Sequence, residues 1–200
     1  MTATLVKLVA LAGVVGPSVS CGDFVRQGRS PVQLVVEALA DGAGQGTVLS
    51  DVADTTTDPC SPTSPCIFDD VAKARLRIQL KDPGSPGVAA TPSQINEVTL
   101  DRYRVEYLRA DSHNVQGVDV PYSFDSGLTI TIPGGGAEIS FEVVRHSAKE
   151  EAPLRALLQS RERISTIATI TFYGHDQAGN QVSVASTMGV NFADFADKAR

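Results

Sequence analysis

The 200-residue sequence predicts an all-β fold, a sandwich of strands with one short crossover helix. Two observations carry this prediction. Apolar and polar residues alternate from residue 72 to residue 81, which is typical of a half-buried antiparallel strand. Turns rich in glycine and proline separate further strand-like segments, and these do not alternate with helices. The pattern favours an antiparallel sandwich of about seven to nine strands.

The strands can be placed in order along the chain. We predict strands at residues 31–40, 47–52, 72–81, 98–108, 119–124, 128–133, 138–144, 164–174 and 181–192. In the fourth strand the apolar series shifts by one residue, so we expect a β-bulge near Asp101 and Arg102. The basic residues of the third strand are interpreted as a solvated face, with a binding stripe as the alternative.

Residues 149–163 carry the helix prediction. Pro153 suits a first turn, and Leu154, Leu157 and Leu158 form an apolar stripe at helical spacing. Acidic residues lie near the start of this segment and basic residues near its end, as the helix dipole favours. We interpret the segment as a crossover that caps one end of the sandwich.

Residues 1–20 have the order of a secretory signal. Lys7 precedes an apolar run at residues 8–15, and small residues follow the breaker Gly16-Pro17. The run is too short to span a bilayer, which takes roughly 20 apolar residues. We therefore predict an exported protein with a signal segment at 1–20, a tether at 21–30, the sandwich at 31–192 and a polar tail at 193–200.

The stretch SVSC at residues 18–21 resembles a bacterial lipobox. That resemblance implies a lipoprotein in which the thiol of Cys21 carries the lipid, and multiple acyl chains would give a stable membrane anchor. A plain signal peptide followed by a chance cysteine is the alternative.

The two remaining cysteines, Cys60 and Cys66, enclose a proline-rich loop. In an oxidising compartment we expect them to form a disulfide, which also accounts for the odd cysteine count. Two free thiols are one alternative. A metal site is another, although no second pair of ligands lies nearby in the sequence.

Composition excludes several classes of partner. The net charge of −6, which becomes one unit more negative when Lys7 is removed with the signal, argues against nucleic acid and against electrostatic attachment to anionic lipid. The absence of Trp excludes a carbohydrate platform built on that residue. The run Gly134-Gly135-Gly136 lacks the residues and the helix of a phosphate loop.

The last two strands form a hairpin with the sequence TFYGHDQAGNQVSV around its turn. This piece resembles the last hairpin of bacterial immunoglobulin-like domains, in which a D-x-A-G-N turn recurs. The resemblance covers about thirty residues and implies an immunoglobulin-like antiparallel β-sandwich, a fold that hosts many functions.

Candidate catalytic or metal-binding residues are few. His113, His146 and His175 have no spacing typical of a metal site, and no G-x-S-x-G motif is present. Five acids lie in or beside one loop, and they could bind calcium: Asp51, Asp54, Asp58, Asp69 and Asp70. The EF-hand pattern is missing, so we interpret them as solvated loop acids. We predict no catalytic residue, metal or cofactor.

The sequence thus favours a lipid-anchored binding or structural module of the bacterial cell envelope, on its periplasmic or surface face, and not an enzyme. Its predicted partners are the membrane and an envelope protein. An accessory subunit of an envelope complex is the first alternative, and an exported hydrolase or calcium-binding protein is the second.

Overall fold

The computed structural model describes residues 28–158 and 160–195, and these are mostly β structure. The strands are β1 (Val32–Asp41), β2 (Thr47–Asp51), β3 (Asp70–Leu80), β4 (Gly84–Ser85), β5 (Val88–Ala89), β6 (Val98–Leu108), β7 (Phe124–Ile132), β8 (Ala137–Val144), β9 (Ile164–Asp176) and β10 (Gln181–Ala193). The helix α1 (His146–Lys149) and two 3-10 turns (Gln94–Asn96, Leu154–Leu157) lie in the connections. The all-β prediction is confirmed.

Two main sheets form the body. One has the strand order β1-β3-β8, and the other has the order β2-β10-β9-β6-β7. Strands β4 and β5 form a small separate hairpin. Neighbouring strands are antiparallel except β2 and β10, which run parallel. The prediction of a wholly antiparallel sandwich is wrong at this pair, because local alternation does not report which strand becomes the partner.

The core lies between the two sheets and is centred on aromatic residues. The ring of Phe141 on β8 lies 5.4 Å from that of Tyr103 on β6 and 5.3 Å from that of Phe172 on β9, both in edge-to-face geometry. The hydroxyl of Tyr107 donates to the backbone carbonyl of Val143. Edge-to-face contacts add to the stability gained from burial, so these residues hold the sheets together.

The predicted bulge in β6 is confirmed, since the register with both of its neighbours shifts between Leu100 and Arg102. The predicted strand at 119–124 and turn at 125–127 are wrong, because β7 runs unbroken through these turn residues. Asp125 on β7 bonds the side chains of both Arg102 and Arg104 on β6. Cross-strand pairing thus outweighs the turn preference of Asp-Ser-Gly.

The predicted helix at 149–163 is also wrong. The segment contains only the end of α1 and the 3-10 turn Leu154–Leu157. Leu154 and Leu157 are buried against the core, as their apolar character predicts. A single turn is enough to bring both leucines against the core. Packing of this kind supplies most of the stability of helices in proteins, so it does not require a longer helix here.

Each predicted boundary of the sandwich falls on a residue that takes part in the fold. Ser30, in the predicted tether, is buried, and its hydroxyl accepts the backbone N–H of Val32. Ala193, in the predicted tail, ends β10 and pairs with Asp51.

The body has two ends. The lower end consists of residues 28–31, 81–97, 133–136 and 176–180. The Lys81 N–H donates to the Pro31 carbonyl across 2.9 Å, and Gln177 bonds the carbonyl of Glu97. The upper end consists of residues 52–69, 109–123, 145–158 and 160–163. The described chain therefore begins at the lower end.

Candidate functional site

A cleft of about 560 Å³ lies beside the upper end of the molecule, where the end of β1 and the start of β3 meet β2. The turn after β1, the first half of β2 and the start of β3 form its walls. The residues that line it are Asp41, Gly42, Gln45, Thr47, Val48, Leu49, Asp69, Asp70 and Val71. A concave site with mixed apolar and polar lining is the usual form of a binding site.

The floor of the cleft is held by a buried ion pair. Lys149 at the end of α1 has a side chain only 1% exposed, and its Nζ lies 2.9 Å from Oδ2 of Asp70. The same Nζ donates to the backbone carbonyl of Asp51 across 2.7 Å. Ser50 on β2 donates its hydroxyl to Asp70 across 2.6 Å. The ends of β2 and α1 and the start of β3 thus meet at one carboxylate.

Burial controls the electrostatics of this floor. Burial raises the pKa of Asp70, and the Lys149 ammonium and the Ser50 hydroxyl oppose that rise. Burial also raises the pKa of Glu142 on β8, and the neighbouring carboxylate of Asp69 raises it further. Asp69, just before β3, and Glu142 on β8 therefore lie close together beside the cleft.

Two rim carboxylates are fixed by backbone donors. Oδ1 of Asp41 accepts the N–H groups of Ala43, at 3.0 Å, and Gln45, at 2.6 Å. Oδ1 of Asp69 accepts the N–H of His146. Each carboxylate has further acceptor capacity, because an ionised carboxylate offers about four lone-pair positions.

Apolar side chains lie exposed beside these acids. Leu49 on β2 is 62% exposed and Val71 on β3 is 46% exposed, and both line the cleft. Phe68, just before β3, is 57% exposed. Large apolar side chains that gather at a cleft with a polar rim are typical of an interaction surface.

The polar groups beneath the cleft are engaged with one another. Ser50 is completely buried, and its hydroxyl proton is directed to Asp70, so no substrate can reach Oγ without rearrangement. The Lys149 ammonium is shared between the Asp70 carboxylate and a carbonyl. A nucleophile needs an accessible oxygen beside a free base, and these residues do not supply that arrangement.

The structure brings together two of the site residues predicted from the sequence. The Sγ atoms of Cys60 and Cys66 are 2.07 Å apart, the distance of a disulfide bond. The bond closes a loop at the upper end in which Ser61 and Ser64 pair through their backbones. Cys21 lies outside the described residues.

The three histidines lie apart, each beside an acid of its own. His113 is 3.6 Å from Asp111, His146 is 3.8 Å from Glu150, and His175 is 3.6 Å from Asp101.

The five acids considered for calcium serve separate elements. Asp51 bonds the N–H of Phe195, Asp54 caps its own turn, Asp58 is exposed in the turn before Cys60, and Asp69 and Asp70 belong to the cleft. Within residues 28–158 and 160–195, no three His, Cys, Asp or Glu side chains group in a way that could hold a metal ion.

Of the residues that line the cleft, the sequence singled out only Asp69 and Asp70. Lys149 was assigned only to a helix, and Leu49 and Val71 resemble ordinary strand residues. One signal was present: the pair Asp69-Asp70 directly precedes a long alternating strand, where two adjacent acids are unusual.

The fold defines the class of this protein: it is an all-β sandwich, with an open cleft where β1, β2 and β3 meet. The chain matches no protein-family model and no curated protein sequence. No helix in the described part of the chain is long and apolar enough to cross a membrane.

Proposed function

We propose that this protein is an exported, lipid-anchored module of the bacterial cell envelope that binds a protein partner in the upper cleft. The sequence at residues 18–21 supports the anchor, with Cys21 as the acylated residue. The observation that carries the proposal is the relation of the two ends: the described chain begins at Gly28 at the lower end, and the cleft lies beside the upper end.

The lining of the cleft favours a cationic side chain of the partner. Asp41 and Asp69 supply fixed carboxylates, and Leu49 and Val71 supply apolar walls beside them. Lysine and arginine have an aliphatic stem and a charged head, so one side chain can satisfy both features. Charge complementarity of this kind selects partners and guides their approach.

The anchor is tested by the intact mass of the protein purified from membranes of its own host, with and without reduction. We expect a chain that begins at Cys21, carries added acyl mass and gains two hydrogens on reduction. An unmodified chain cut near the same place would refute the anchor and indicate a diffusible protein.

The cleft is tested by photo-crosslinking in the host envelope. A benzophenone amino acid at Leu49 or at Val71 should form one adduct of fixed mass, and the same group at Thr129 on β7 should not. Equal adducts at all three positions would refute a specific site. We further expect that the double variant Asp41→Asn, Asp69→Asn loses the adduct, whereas Glu138→Gln on β8 retains it.

A further inference from the structure

The loop at residues 83–96 at the lower end has an unusual surface. It contains no charged residue and no histidine, although the whole chain carries 40 Lys, Arg, Asp and Glu residues in 200. Two large apolar side chains project from it, Val88 at 73% and Ile95 at 68% exposed. These are the highest exposures among the large apolar residues of the described chain. The loop therefore presents apolar side chains to solvent without a charged rim of its own.

The loop has a defined shape. Strands β4 and β5 pair within it, and the Ala90 N–H donates to the Pro83 carbonyl across 3.0 Å. Gly84 has a φ of +88°, and a Cβ there would lie 2.6 Å from the carbonyl oxygen of Val88. Glycine is thus required at the point where the hairpin folds back on itself. Val88 is thus displayed by a hydrogen-bonded hairpin, and Ile95 by the 3-10 turn Gln94–Asn96 that follows it.

Two neighbouring segments, at residues 133–137 and 177–180, also lack charged residues, although Asp82 and Glu97 flank the loop itself. Residues 133–137 read PGGGA, and Gly134 lies against Pro92 of the loop. In the turn after β9, Asp176 is buried, and its carboxylate accepts the side-chain amide and the backbone N–H of Asn180. Arg29 and Lys81 lie at the same end. These two bases offset the two acids that flank the loop, Asp82 and Glu97, so little net charge is left on the surface of the lower end to repel an anionic bilayer.

The position of the anchor determines which surface faces this loop. Cys21 lies seven residues before Gly28, a distance of at most about 25 Å when fully extended. A domain held so closely must keep its lower end near the bilayer. This step rests on the lipid anchor put forward under the proposed function.

We propose that the loop at residues 83–96 docks on the bilayer and places Val88 and Ile95 among the lipid headgroups. It acts as a second, weak attachment beside the acylated Cys21. Apolar side chains at a membrane interface bind in proportion to the apolar area they bury, so two such residues orient a tethered domain without anchoring a free one. The docked orientation turns the upper cleft away from the membrane.

Intrinsic fluorescence can test the docking, because the chain contains no tryptophan. The protein for this experiment would begin at Cys21 and end at Arg200, so that it includes every residue that the structure describes. We would couple it through the Cys21 thiol to a maleimide lipid in vesicles of phosphatidylethanolamine and phosphatidylglycerol. Cys60 and Cys66 do not compete while they are bonded to each other. The variants are Val88→Trp and Ile95→Trp, with Val118→Trp as the control, because Val118 is 66% exposed at the upper end.

We expect the emission of Val88→Trp and Ile95→Trp to shift to the blue on coupling and to lose intensity when the acyl chains are brominated. The emission of Val118→Trp should stay that of a solvated indole. Water-like emission from both loop variants on vesicles that hold the protein would overturn the docking. Equal shifts at all three positions would overturn it as well.

A second measurement avoids substitutions altogether. Amide hydrogen exchange of the unsubstituted chain, coupled and uncoupled, should slow across residues 83–96 and remain unchanged across 109–123. Unchanged exchange in the loop would refute the proposal. The artificial coupling supplies an anchor whether or not the host acylates Cys21, so failure of docking is distinguishable from failure of the lipoprotein assignment, which the intact mass decides.

Discussion

Lys149 and Asp70 form an ion pair, 2.9 Å between Nζ and Oδ2, beneath the floor of the upper cleft. Lys149 ends α1, and Asp70 begins β3. The Asp51 carbonyl accepts a second hydrogen bond from the same Nζ, which brings in the end of β2. One amine therefore joins three elements that are distant in sequence, and the shape of the cleft depends on it.

The variant Lys149→Met should be strongly destabilised. It keeps the packing of the side-chain stem but leaves the Asp70 carboxylate and the Asp51 carbonyl without their donor. Removing one partner of a buried ion pair costs about 3 kcal/mol in unfolding free energy, and urea unfolding at neutral pH measures this loss. The matched control is Lys73→Met on the outer face of β3, which should change little. Equal losses in both variants would contradict a special role for the ion pair.

Acid should weaken the turn at Asp54. Hydrogen bonds from the Thr57 hydroxyl and from the backbone N–H groups of Thr56 and Thr57 lower the pKa of Asp54 to about 2. The pKa of an unfolded aspartate is about 3.9. The folded pKa is the lower one, so the carboxylate stabilises the fold above pH ~4, and this contribution disappears as the pH falls toward ~2.

The variant Asp54→Asn should therefore lose less stability than the native chain over that pH interval, as measured by urea unfolding at successive pH values. An NMR titration should place the midpoint of Asp54 at about 2, and Thr57→Val should raise that midpoint. A midpoint near the ordinary aspartate value in the native chain would show that these bonds do not hold the carboxylate in solution.

The disulfide should stabilise the upper end modestly. The bond between Cys60 and Cys66 closes a short loop, and the chain-entropy estimate for such a loop is about 2 kcal/mol. The double variant Cys60→Ser, Cys66→Ser should lose this amount in urea unfolding without reductant. Addition of reductant should bring the native chain to the same stability and leave the variant unchanged. A native chain insensitive to reductant would contradict the prediction.

Core and surface phenylalanines should differ sharply in their contribution to the free energy of unfolding. Phe172 is fully buried between Tyr103 and Phe141, so Phe172→Ala should cost about 3–5 kcal/mol in unfolding free energy. Phe68 is more than half exposed, and Phe68→Ala should cost little. Thermal or urea unfolding of the two variants measures both costs. Equal costs would mean that Phe68 packs against the fold in solution.

Local sequence patterns predicted most of the strands, because each strand of a sandwich buries one face and therefore alternates. β3 and the bulged β6 are the clearest examples. The same reasoning failed at 119–127, where cross-strand bonds from Arg102 and Arg104 extend β7 through a turn-like sequence. It failed again at 149–163, where Leu154 and Leu157 pack into the core from a single turn.

The cleft was beyond prediction from the sequence for a different reason. Its residues come from β1, β2 and β3, and the lysine that holds its floor lies outside all three. Nothing in the sequence around Lys149 distinguishes it from a solvated lysine, because its partners are set only by the pairing of distant strands. Leu49 is similar: its exposure follows from the position of β2 at the edge of a sheet.

The parallel pairing of β2 with β10 has a consequence for the timing of assembly. β2 is among the first strands of the described chain, whereas β10 is its last strand. A chain that emerges N terminus first must therefore wait for its final segment before β2 can be locked in place, and such long-range closures are slow. The wall of the cleft that carries Leu49 is thus completed last, so a chain interrupted before β10 would present no finished cleft to a partner.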